Sequence, residues 1–226
     1  ASDNKGEITV NKNLTIKKAD GAISAVLDAN CNHSGTPPYG APTTQYRIFD
    51  VQSGKTLKLE NLTLKNGNKV GITGGGILVT GKVELTNCTI ESCKASDGGA
   101  IGGRGEAKLT NIVIKKCEAT SKGGAIYTKG GNVTMTNCTL TGNKAKNGGA
   151  IYAEKNTGPS IPAAVTITGG AIGDINASNA NKATGTGTDG NGGGIYIGGD
   201  CTVTLIDGVQ VIGNTAVNGG GVYVDI

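Results

Sequence analysis

The run Gly-Gly-Ala-Ile returns along this chain at a nearly fixed spacing. It stands at Gly98–Ile101, Gly123–Ile126 and Gly148–Ile151, with variants ending at Ile77, Ile195 and Val222. The first intervals between the apolar residues are 24, 25 and 25. A period in this range marks stacked supersecondary units, each unable to bury its apolar face alone. Composition points the same way. Gly accounts for 40 of 226 residues, Trp is absent and Phe49 is the single Phe, so a core of large rings is excluded. Small and β-branched residues suit thin, tightly stacked turns.

One repeat, residues 123–147, shows how a unit is built. Three short segments at 125–128, 132–136 and 138–141 alternate apolar and polar residues, which marks half-buried strands. Ile126, Val133, Met135, Cys138 and Leu140 point inward and Tyr127 outward. Gly130-Gly131, Asn137 and Gly142-Asn143 supply the bends. The same frame fits Ile101, Ala107, Leu109, Ile112 and Ile114, then Val83, Leu85, Cys88 and Ile90, then Leu57, Leu59, Leu62 and Leu64. The fold predicted is all-β: a single-stranded, right-handed parallel β-helix with three short strands per coil of about 25 residues.

Asn61, Asn87, Asn111 and Asn137 hold one bend position in four successive coils, where side-chain amides can bond along the axis and Asn tolerates a left-handed backbone. Glycosylation at these Asn is not expected, because the column is read as lying within a packed ladder. Of the six Cys, Cys88 matches Cys138 and Cys93 matches Cys117 in the frame. Such core-facing positions suit a small hydrophobe, so buried reduced thiols are expected. Gly before the apolar residue serves a bend or a close approach to the next coil.

One solenoid domain is expected over 1–226, with 1–46 forming an N-terminal cap, first coil and loop, and 47–226 the regular coils. Residues 30–45, rich in Pro, Asn and Thr, read as a loop. The interval from Ile151 to Ile195 is 44, and insertions at 154–162 and 177–191 absorb the excess. Insertions in repeat proteins become loops on one face, often the working face. The chain starts at Ala1 without Met and stops partway through a repeat, so a piece of something longer is expected.

The charge of +4 is spread without a basic block, which argues against nucleic acid. No apolar run suffices for a membrane helix, so no membrane insertion by this segment is expected. Catalytic signatures are weak. Arg47 and Arg104 are the two Arg, His33 is the one His, and Asp174, Asp189, Asp200 and Asp207 are scattered. Paired carboxylates at set separation are not evident, and no cofactor, metal or catalytic residue is expected. The mixed column Lys58, Glu84, Lys108, Thr134, Thr166 and Thr204 spoils a flat Thr face of the kind that binds ice. The candidate binding residues are Tyr127, Tyr152, Tyr196 and Tyr223, which follow the apolar residue of their motifs and form a file interrupted at Gly102, together with Asp189 and Asn191 in a faint calcium-type turn. The file either grips a ligand or stabilises the coils by stacking.

Gly-Gly-Ala-Ile, followed one arm later by Leu140-Thr141-Gly142-Asn143 and Val211-Ile212-Gly213-Asn214, resembles the repeat of the chlamydial polymorphic membrane proteins. The resemblance implies a passenger of the bacterial outer surface, autotransporter-like and anchored through a part not in this sequence. It also implies that the chain is an adhesin that binds a host surface protein or glycan without catalysis. A monomer is expected for the segment alone. A carbohydrate-active enzyme acting on an acidic polysaccharide, and a purely structural spacer, are the alternatives.

Overall fold

The computed structural model describes residues 6–29, 45–158 and 160–225. They wind as a parallel β-helix. Twenty-five short strands form three sheets of eight, twelve and five, and the strands pair in parallel from coil to coil. The loop expected at 30–45, with Cys31 and His33, lies outside the described residues except for its last position.

Inward files carry the core. Phe49, Ile77, Ile101, Ile126, Ile151 and Ile195 stack in register on the eight-stranded sheet, each no more than 2 % exposed. Leu59, Leu85, Leu109, Met135 and Ile167 form a second file, and Leu64, Ile90, Ile114, Leu140 and Ile172 a third. Each such side chain contributes about 1.5–3 kcal/mol when buried. A lone coil would leave every one of them half wet, so stability arises from stacking.

The coil has three faces, but they divide differently from the sequence reading. The expected second and third strands are two arms of one sheet folded at the Asn bend, and Asn132–Thr141 and Ala164–Ile172 run through both arms. The third face comes from Lys94–Asp97, Glu118–Lys122 and Lys144–Ala145. Each buries only one Ala (Ala95, Ala119, Ala145), too little to register as alternation.

The bend column has the predicted backbone: Asn61, Asn87, Asn111 and Asn137 lie at φ of 57°, 51°, 54° and 52°. Asn87 Nδ2 donates to Asn61 Oδ1 at 3.2 Å, and Asn111 Nδ2 to Asn87 Oδ1 at 3.0 Å. The column is exposed, not packed within the wall as the sequence reading had it, because a left-handed bend turns the side chain away from the core. A second Asn ladder is fully internal. Asn143 and Asn181 are both 0 % exposed. Asn143 Nδ2 donates to Ile114 O and Asn181 Oδ1, both at 3.0 Å, and Asn143 Oδ1 accepts from Cys117 N at 3.0 Å. Asn181 Nδ2 donates to Asn214 Oδ1 at 2.9 Å and to Leu140 O at 2.8 Å. Asn143 and the half-buried Asn214 are the Asn of the second repeat motif, so that motif is a set of backbone caps. Cys88, Cys93, Cys117 and Cys138 are buried free thiols, as expected, and Cys201 is a half-buried one. Burial raises the thiol pKa of Cys88, Cys117 and Cys138.

The two glycines of the repeat do different work. Gly148 has φ +63°, the left-handed turn into the strand. A Cβ at Gly149 would lie 2.3 Å from Gly193 O in the next coil, where no side chain fits.

The excess between Ile151 and Ile195 leaves the frame intact. Ile151 pairs with Ile195 and Tyr152 with Tyr196, while Ala145 pairs with Ala183.

Candidate functional site

Tyr127, Tyr152, Tyr196 and Tyr223 occupy one register position on the eight-stranded sheet. Their rings form a file apart from the main core, with successive centroids 6.1, 4.2 and 5.2 Å apart. Tyr152 and Tyr196 lie nearly parallel, at 6°. The side chains leave the sheet on its outer side, as alternation requires, yet the first three are only 7 % exposed. The rings cover one another, and the motif glycines leave room at the base of two of them. With no side chain at Gly148 or Gly219, the bases of Tyr152 and Tyr223 sit directly over the turn, within 3 Å of where a Cβ would be.

Charged groups close over the file. Tyr127 Oη donates to Glu154 Oε1 at 2.5 Å and Tyr196 Oη to Asp225 Oδ2 at 2.6 Å. Lys122 Nζ donates to Glu154 Oε2 at 2.5 Å and stands 5.0 Å from the centroid of the Tyr152 ring. Burial and then the bonded carboxylate push the phenols of Tyr127 and Tyr196 far above their usual range, so they stay protonated and donate to those carboxylates. Burial pulls Lys122 downward, but Glu154, Tyr152 and Asp97 outweigh it and hold the ammonium.

Asp189 and Asn191 belong to the flank of the same file. Asp189 Oδ1 accepts from Asn147 Nδ2 at 2.9 Å, and Asp189 Oδ2 pairs with Lys146 Nζ at 2.5 Å. Lys146 and then Asn147 hold the Asp189 carboxyl below its usual value. Asn191 N donates to Asn147 Oδ1 at 2.9 Å, and Asn191 Oδ1 accepts from Asn218 Nδ2 at 2.8 Å. Asn147 directly precedes Gly148, over which Tyr152 sits. The six candidates therefore form one aromatic strip and its amide border, and both Asp189 oxygens are engaged by the protein itself.

The strip opens at one end. Gly102 takes the Tyr position in the coil before Tyr127, and Leu78 in the coil before that. The missing ring leaves a groove of about 420 Å³ walled by Tyr127, Asp97, Arg104, Lys129 and Asn156 over Leu78. Asp97 Oδ1 is buried without a hydrogen-bond partner. Burial raises the Asp97 carboxyl, with the Lys122 ammonium working against it. The groove thus offers an aromatic edge, a cation, a carboxylate and an amide within one concave space, a set suited to holding a polar ligand. The sequence reading missed Asp97, Lys122 and Glu154. The signal was there for two of them: Asp97, Lys122 and Asn147 share the frame position just before the glycine pair.

Residues 137–154 match the Chlamydia polymorphic membrane protein repeat. That stretch spans the exposed bend at Asn137, the buried Asn143, the glycine pair, Ile151 and Tyr152. The match bears out the resemblance read from the motifs and suggests a surface protein of autotransporter type. No curated protein and no solved structure matches the chain. No helix of the described residues is long and apolar enough to cross a membrane.

Proposed function

We propose that this chain is the rod of a bacterial surface adhesin, which binds a host surface protein or glycan and performs no catalysis. The observation that carries the reading is that the matched repeat coincides with a stretch of solenoid whose recurrent residues are all spent on structure: glycines on turns, Asn143 on backbone caps, Tyr152 on stacking. Recognition then falls to what departs from the repeat, namely the insertions at 154–162 and 177–191, the 30–45 segment, and the open end of the Tyr strip. Two of the scattered acids, Asp174 and Asp200, are not poised for general-acid catalysis. Asp174 is held by Asn176 N and Asn179, and Asp200 by Lys155, each with its carboxyl lowered by those bonds. A general acid needs the opposite shift.

The test is binding of the purified chain to host cells, matrix proteins and glycan arrays, with 154–162 and 177–191 each replaced by a short turn. Saturable binding that the replacements abolish supports the reading. Absence of binding in every format supports a spacer, and release of reducing ends from acidic polysaccharides supports an enzyme.

A further inference from the structure

Among the described residues, charge alternates between paired strands on the outer files of this solenoid with one exception. Where two charged residues stand opposite each other on adjacent strands, they are of opposite sign: Lys58 and Glu84, Lys82 and Glu106, Glu91 and Lys115, Lys94 and Glu118, Lys129 and Glu154. Most of these close into ion pairs, such as Lys58–Glu84 at 2.7 Å and Lys82–Glu106 at 2.9 Å. On the five-stranded sheet the column runs Lys94, Glu118, Lys144, and then Lys182. Lys144 and Lys182 stand directly opposite, about 4.8 Å apart in the pairing direction. Like charges in this relation destabilise a sheet. Neither has an ion-pair partner among the described residues, nor does nearby Lys116.

The exception falls at a built groove. The coil that pairs with the Thr141–Lys144 corner detours outward through a braced turn, Ala177–Asn179. Asp174 accepts from Asn176 N at 2.8 Å and from Asn179 Nδ2 at 3.1 Å, Asn176 Oδ1 accepts from Ser178 N at 3.0 Å, and Gly142 N donates to Asn179 O at 2.7 Å. The detour walls a groove of about 600 Å³ whose other lining includes Lys115, Lys116, Lys144, Thr141 and Glu118. Lys115 and Glu118 are already neutralised, by Glu91 at 3.1 Å and Lys94 at 3.5 Å. What remains is Lys116 and Lys144, with Lys182 one strand beyond: three ammoniums without an ion-pair partner among the described residues, beside hydroxyl and amide groups and facing the single carboxylate of Glu118, which Lys94 also holds.

We propose that this groove binds a sulfated polysaccharide, with Lys116, Lys144 and Lys182 meeting its sulfate groups, and Thr141, Ser178 and Asn179 its hydroxyls. Lysines on directly opposite strand positions suit an anion that spans both side chains, and their mutual repulsion is relieved when it does. The polar lining leaves no apolar pocket for a peptide side chain to anchor in. The inference names a ligand class and a place for the surface-binding reading, and rests on it only for its biological setting.

The experiment uses the full chain and a size-defined heparin oligosaccharide, with its desulfated form and polyglutamate as competitors, by titration calorimetry at two salt concentrations. Binding should weaken with salt, require sulfation and ignore polyglutamate. K116E/K144E/K182E should lose binding at least about tenfold, while the remote triple K12E/K18E/K55E, of equal net charge and with no charged residue opposite on an adjacent strand, keeps it. K182E alone restores alternation in the column, so it should weaken binding while its melting temperature holds or rises, which removes misfolding as an explanation. Equal loss in both triples, equal binding of the desulfated form, or equal competition by polyglutamate overturns the proposal. Host cells bound with no affinity for the oligosaccharide would sink this groove and spare the adhesin reading, whereas oligosaccharide affinity without cell binding does the reverse.

Discussion

In the coils opened by Ile77 and Ile101 the inner corner is filled by Cys93 and Cys117, and from 123 onward the same place is held by Asn143, Asn181 and Asn214. The outer flank changes in step. Asp50, Leu78 and Gly102 occupy in the first half the position that Tyr127, Tyr152, Tyr196 and Tyr223 occupy in the second. One half has small apolar packing at this inner corner and its amide ladder on the exposed bend, while the other carries a buried amide ladder and an aromatic one. The difference tracks the insertions. The coil from Ile151 to Ile195 carries the excess residues, and there Asn181 and Tyr196 tie the returning chain to fixed partners in the coil before it. Apolar packing alone tolerates a slip. A buried amide bonded to Leu140 O and Asn214 Oδ1 does not.

The sharpest way to break this comparison is at the turn shared by both halves. Gly149→Val should cost at least about 4 kcal/mol, because its Cβ would meet Gly193 O at 2.3 Å. Gly54→Val, at φ +71° but with open space around it, should cost only about 1–2 kcal/mol. Urea midpoints read both. Next, Tyr152→Ala should cost about 3 kcal/mol by removing the middle of the stack, against about 1 kcal/mol for Leu78→Ala at the half-buried matching position. Asn143→Ala should cost about 2 kcal/mol, since it strips partners from buried Cys117 N and Ile114 O. Cys117→Ala, which leaves no buried polar group unpaired, should cost about half that. Equal losses in the last two variants would mean that the amide ladder adds nothing to packing.

The smallest effect concerns pH. Burial raises the Asp97 carboxyl above its ordinary value of 3.8, so the folded state binds this proton more readily than the unfolded one. Its contribution is fully present below 3.8 and is lost as pH rises through the raised folded value. Asp97→Asn should therefore melt higher than the parent at pH 7, and the gap should close as pH falls toward 3.8. A gap unchanged across that range would show that the carboxylate is not penalised.

Much of this was legible in the sequence. The apolar residues of Gly-Gly-Ala-Ile predicted the inward file, and all three of Ile101, Ile126 and Ile151 lie in it. The bend Asn and the buried thiols were equally readable, because a position repeated in frame must stack. The third sheet was not, because a single Ala per strand carries no periodicity. The burial of the Tyr strip was not either. Alternation tells which side of a sheet a ring leaves, and cannot tell that its neighbours and the carboxylates of Glu154 and Asp225 close over it. Lys182 hid for another reason: it pairs with Lys144 across an insertion, so their adjacency belongs to the fold and not to any fixed interval.

That Ile195 settles on Ile151 whatever lies between them has a further consequence. Contour length here is decoupled from pitch, so the chain can lengthen or exchange its excursions without moving the mast that carries them. Novelty at the rim and conservatism along the axis become separate problems, solved by different residues.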